Sequence, residues 1–120
     1  MPIWTDSGTL KYQNATEEQL AHKFNNCCMI DKTTILNGKL YRCPFSANAH
    51  NLEAIPPNKA DVVDLGDDNK SIEEIKKEIV SLHGHKKYLE ACKYCNGRDH
   101  LAPKIKAAIQ TKKPLPIPKY

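Results

Sequence analysis

Cys92 and Cys95, followed directly by Asn96-Gly97-Arg98, constrain this 120-residue chain more than any other stretch. Two thiolates three positions apart can grip one metal from a single tight turn. The Asn-Gly pair behind them lets main-chain N–H groups turn back toward sulfur. Such a pair supplies half of a tetrahedral ligand set, so the other half must come from upstream. Cys43 stands at the end of an expected β-hairpin, and Cys27 and Cys28 lie shortly before it. The spacing therefore predicts a four-cysteine site, for a metal or an iron–sulfur cluster, that draws distant parts of the chain together.

Composition says why such a staple is useful. Only 7 % of residues are aromatic and 40 % are hydrophobic, which predicts a modest core for one small domain. Eight prolines and five glycines predict much loop. Neither an eighteen-residue apolar run nor a charged-then-apolar leader is visible, so a cytoplasmic protein without membrane contact is expected. Five cysteines, an odd number in a reducing compartment, fit ligation better than disulfide pairing.

The charge is uneven. Residues 101–120 hold five lysines and no acidic side chain, against a whole-chain net of +4. A basic tail can dock on an acidic surface, but its proline spacing reads first as a solvated terminus, and nucleic-acid binding is not indicated. The expected organisation is an extended segment over 1–15, a domain over 16–110 and a basic proline-rich tail over 111–120.

Thr16 and Gln19 have capping-box spacing, with Glu17 and Glu18 suited to the first turn of a helix over 16–27. Leu20, Phe24 and Cys27 share its apolar face, and Cys28 is rotated off that face by about a hundred degrees. Because a buried cysteine on such a stripe is more often core than ligand, Cys28 is favoured over Cys27, which stays the alternative. Asn37-Gly38 between apolar and β-branched residues predicts a hairpin over 33–42. Pro44 then opens a short helix over 45–52, with Phe45, Ala49 and Leu52 inward. A strand is expected over 61–65. Ser71 with Glu74 starts a helix whose face is Ile72, Ile75, Ile79 and Leu82, stopped by Gly84. Ile105, Ala108 and Ile109 predict a further helix over 101–110, and Ile3 with Trp4 is expected to pack on the core. The loop 66–70 lacks the regular oxygen spacing of a calcium site. His83 and His85 read as helix-end residues, His100 as a zinc-ligand alternative, and His22 and His50 as isolated.

Cys28, nine residues, Gly38, four residues, Cys43, and later Cys92-x-x-Cys95 resembles the framework of the SPASM/twitch auxiliary domains of radical SAM enzymes. Counting from Cys27 gives ten residues before the glycine, which that pattern also tolerates. The phrases GKLYRCPFSA from Gly38, ACKYCNGR from Ala91 and AIQTKKP from Ala108 are similar to the C-terminal region of radical SAM proteins from polysaccharide-biosynthesis clusters. The resemblance covers Thr16 to the end. It implies a small α+β domain, with a hairpin and three or four short helices around one [4Fe–4S] cluster on Cys28 (or Cys27), Cys43, Cys92 and Cys95. It implies as partner a radical SAM barrel, in the same chain or a separate one. The Cys-x-x-x-Cys-x-x-Cys motif that holds the S-adenosylmethionine-cleaving cluster is absent, so the chain is not expected to be catalytic alone. With four thiolates bound, every iron is satisfied and the cluster relays electrons or staples the fold. Lys39, Arg42 and Arg98 flank the ligands and can tune its potential or merely line the surface. Two other classes stay open. One is a zinc-knuckle interaction module of four cysteines, or three and a histidine. The other is a redox protein cycling Cys92 and Cys95 as a dithiol, although no βαβ pattern precedes them.

Overall fold

The computed structural model describes residues 3–6, 8–84, 86–98, 103–114 and 116. Among these residues the fold is α+β, with three helices and two small antiparallel sheets. Helix α1, Glu17–Asn25, starts on the expected capping box: the Gln19 N–H donates to Thr16 Oγ1 at 3.2 Å and the Thr16 N–H to Gln19 Oε1 at 2.9 Å. It stops earlier than the apolar pattern implies. Asn26 folds its Nδ2 back onto the His22 carbonyl at 2.8 Å, and its main-chain N–H points to the same turn. Cys27 and Cys28 consequently lie in the turn that follows, where a helical wheel no longer applies.

Strands β2, Thr34–Leu36, and β3, Lys39–Tyr41, form the predicted hairpin, with φ of +52° at Asn37 and +73° at Gly38. These positive angles are what the Asn-Gly turn supplies. Strand β4, Val62–Asp64, adds to the other side of β3, pairing Leu40 with Val63. Cys43 caps α2, Pro44–Asn51, which proline opens because it has no N–H to leave unpaired. Helix α3, Ile72–Gly84, carries the second capping box, Ser71 and Glu74 exchanging hydrogen bonds of 3.1 Å. A 3-10 turn, Lys59–Asp61, precedes β4, and a longer one, Glu90–Tyr94, carries Cys92.

The core is in two parts. Leu40, Val63 and Leu82 are buried between the three-stranded sheet and α3, flanked by Ile75 and Ile79. Phe24, Ala49, Ile55, Leu89 and Ala91 form the second cluster, and Cys43 and Cys92 pack against it. Leu52 and Ile72, expected inward, are exposed at the ends of their helices.

The helix expected over 101–110 is corrected over its described part, 103–110. Among the described residues, Lys104–Lys106 is a strand, β5, paired antiparallel with β1, Ile3–Thr5, and Trp4 faces Ile105 across the ladder. Alternating Lys-Ile-Lys has the period of a strand, and Ile109 finds no apolar surface that would hold a helix, being 88 % exposed. Ile3 and Trp4 are likewise in this ribbon rather than in the core, at 69 % and 48 % exposure. Residues 101 and 102, which begin the expected helix, lie outside the described residues, as does residue 115 of the tail. No helix among the described residues is long and apolar enough to cross a membrane.

Candidate functional site

Three chain segments converge on one cavity. The turn after α1 brings Cys27, the junction of β3 with α2 brings Cys43, and the turn Glu90–Tyr94 with its cap brings Cys92 and Cys95. The remaining wall is apolar, from Phe24, Met29, Ile30, Phe45, Leu89 and Ala91, with Lys23 and Gly97 at one side. The cavity encloses about 40 Å³, against the ~10–15 Å³ that a single water requires. All five cysteines are free thiols.

Cys28, favoured by the helical-face argument, is exposed and does not line this cavity. Its main-chain N–H donates to the Arg98 carbonyl at 3.3 Å, which turns the residue outward and leaves Cys27 on the inner side. The early stop of α1 at Asn26 is the physical reason.

Burial disfavours the thiolate at Cys43, Cys92 and Cys95. Burial pushes the Cys92 thiol up to about 12. Desolvation is the main cause, and the neighbouring Cys43 and Cys95 sulfurs add to it. Cys43 and Cys95 are raised for the same leading reason, and both feel the Cys27 sulfur. Main-chain N–H groups act in the opposite direction at each of these sulfurs: Ser46 and Phe45 at Cys43, Leu89 at Cys92 and Gly97 at Cys95. The Gly97 N–H lies 3.3 Å from Cys95 Sγ, and the Met29 N–H 3.5 Å from Cys27 Sγ. The four half-buried cysteines thus line one cavity, and each sulfur is approached by N–H donors. Ionising Cys43, Cys92 or Cys95 is costly without a bound cation, and the N–H donors prepare the site to stabilise thiolates with one. Among the described residues, no group of three or more His, Cys, Asp or Glu side chains is arranged to hold a single metal ion.

Several residues that no local pattern marks hold the cysteine turn in place. Asp61, 1 % exposed, accepts the Glu90 N–H at 2.9 Å and the Ala91 N–H at 2.8 Å. Burial raises its carboxyl above the ordinary value, and these two bonds partly offset that. At the other end, Lys23 Nζ donates to the Cys95 carbonyl at 2.6 Å and the Cys92 carbonyl at 3.1 Å. Gln13 accepts from Lys23 at 3.0 Å and donates to Asn96 Oδ1 at 2.6 Å, so the 1–15 segment braces the turn. Asn96 also holds the Asp6 carbonyl at 3.1 Å.

Of the flanking cations, Arg42 is 7 % exposed, lies over the Phe24 ring at 5.7 Å and donates to the Lys32 carbonyl at 3.2 Å. Its Nε has no hydrogen-bond partner. Lys39 and Arg98 are exposed. His83 is engaged by Thr33 and the Ile79 carbonyl, and His50 sits edge-on to Tyr41, both apart from the cysteines. His85 and His100 lie outside the described residues. In comparisons with known proteins, no family model matches the chain and no curated protein gives a significant match.

Proposed function

We propose that the chain is an auxiliary iron–sulfur domain of the SPASM/twitch kind, working with a radical SAM barrel in the same or a separate polypeptide. The observation that carries the reading is the gathering of Cys27, Cys43, Cys92 and Cys95, from three segments, around one apolar cavity. Those four residues would hold the group, with Cys27 taking the place first given to Cys28. A [4Fe–4S] cluster, when bound, supplies one-electron transfer at a potential set by nearby charge, N–H···S bonds and exposure. The chain's own contribution is an apolar wall around the sulfurs, and the N–H groups of Met29, Phe45, Ser46, Leu89 and Gly97 that favour thiolates.

Two features support a cluster over the alternatives. Zinc needs its donors at ~2.0–2.3 Å from one point, whereas Cys27, Cys43 and the Cys92–Cys95 turn approach an apolar cavity from three separate segments, directions that suit a cluster several ångströms across. Dithiol exchange needs a lowered thiol pKa and access, whereas the Cys92 thiol is pushed up to about 12 and sits among buried apolar groups. A cytoplasmic location suits the reading, since reduced thiols persist there.

Anaerobic reconstitution with iron and sulfide tests it. The protein should turn brown, bleach in air and hold about four irons per chain. Cys27→Ala should lose iron while Cys28→Ala keeps it. A colourless protein retaining one zinc, or loss of iron on changing Cys28 alone, would overturn the assignment.

A further inference from the structure

The turn that carries Cys92 and Cys95 is gripped at its end by a cation with no anionic partner among the described residues. Lys23 spends its three ammonium protons on neutral acceptors, the carbonyls of Cys92 and Cys95 and the side chain of Gln13. Among the described residues it makes no ion pair with a carboxylate, and neither does the buried Arg42. Its aliphatic stem forms part of the cavity wall and lies so close to Gly97 that a Cβ there would come within 2.8 Å of Lys23 Cγ. The ammonium is therefore fixed rather than free to swing into solvent. A partly buried cation held only by dipoles lacks the counter-charge that usually accompanies burial. A set of four thiolates supplies that charge.

We propose that Lys23 is the fixed counter-charge of the cysteine site and positions the Cys92–Cys95 turn through its main-chain carbonyls. It thereby raises the reduction potential of the cluster bound there. The inference rests on the cluster reading above. The redox step is the gain of one electron from a low-potential donor such as a reduced viologen, whose radical cation is oxidised to the dication. No bond is made or broken and no proton is taken up. The extra negative charge falls beside a cation whose three donors hold it in place, so the reduced state gains more from Lys23 than the oxidised state does.

The test is an anaerobic redox titration of the reconstituted full chain with viologen dyes, following the cluster's visible absorption. Lys23→Gln should lower the reduction equilibrium constant about tenfold, ~59 mV for one electron. Lys23→Arg should stay within a factor of two to three of the unaltered protein. Lys77→Gln, which makes the same change in net charge on the exposed face of α3, should leave the potential where it was. An unchanged potential in Lys23→Gln, or an equal shift in Lys77→Gln, overturns the proposal while the cluster reading stands. If Lys23→Gln takes up no iron, loading is compared in Lys23→Arg and Lys23→Met. Recovery with arginine alone supports the proposal, and recovery with methionine or with neither overturns it. If the unaltered chain binds no iron, the cluster reading fails and takes this inference with it.

Discussion

Replacing Asp61 with alanine strikes the join between the β4 side of the molecule and the cysteine turn without touching a sulfur. The carboxylate is 1 % exposed and takes two main-chain N–H groups at 2.8 and 2.9 Å. A hydrogen bond to a charged group contributes ~1.5–3 kcal/mol, and a buried N–H left without a partner costs ~1–3 kcal/mol. Against this, alanine removes a carboxylate that burial itself disfavours, as its raised pKa records. The balance is a loss of about 3 kcal/mol, a large part of the ~5–15 kcal/mol that a domain of this kind has. For a chain of this length it should lower Tm by roughly 10 °C. Thermal unfolding followed by circular dichroism, with urea titration as a second measure, reads the effect directly. Asp61→Asn, which keeps one oxygen acceptor, should lose about half as much. An alanine variant melting within ~2 °C of the unaltered protein would refute the account of Asp61 as the anchor of this turn.

Asp61 also gives a pH dependence of known sign. Burial, with a smaller push from Glu90 and an opposing one from His50, raises its carboxyl above the unfolded value. The folded state therefore holds this proton more tightly, and the Asp61 contribution declines as pH rises through the window above ~3.9. The stability advantage of the unaltered chain over Asp61→Asn should accordingly grow as pH falls from 7 toward 4 in urea titrations. A shrinking advantage would mean a depressed carboxyl instead. Gly97→Ala meets two obstacles, a φ of +85° and the Lys23 stem at 2.8 Å, and should cost ~1–3 kcal/mol by the same denaturation measurement. An alanine variant of unchanged stability would show that Lys23 is less firmly held than its three hydrogen bonds imply.

Local chemistry made much of the fold legible. Thr16 with Gln19, Ser71 with Glu74, and Asn37-Gly38 each encode a start or a reversal within four residues, and each forms as read. What escaped depends on partners far along the chain. Lys104-Ile105-Lys106 is too short to declare a strand until Trp4 stands opposite it. Which of Cys27 and Cys28 lines the cavity turns on Asn26, whose side chain bonds back to His22 and ends α1 two residues before the apolar stripe does. Cys43, Cys92 and Cys95 were legible as a group because sulfur spacing is a strong signal. Lys23, Gln13 and Asp61 were not, since each acts on main-chain or side-chain atoms tens of residues away. The only local hint at Lys23 is that it precedes Phe24, one of the two buried members of the helical face.

The division of the core among the described residues into two clusters predicts two cooperative units rather than one. Leu40, Val63 and Leu82 bury their side chains against one another without help from any thiol, and three antiparallel strands with α3 close that half. Phe24, Ala49, Ile55, Leu89 and Ala91 share their cluster with Cys43 and Cys92, so the chemical state of sulfur is felt first there. Opening of the second half while the first stays closed should then cost less than global unfolding. Amides of β3, β4 and α3 would keep their slow exchange through it, and those of α2 and the Glu90–Tyr94 turn would not. Oxidative damage to the cysteines would therefore leave a half-folded remnant with a stable sheet, rather than an unfolded chain.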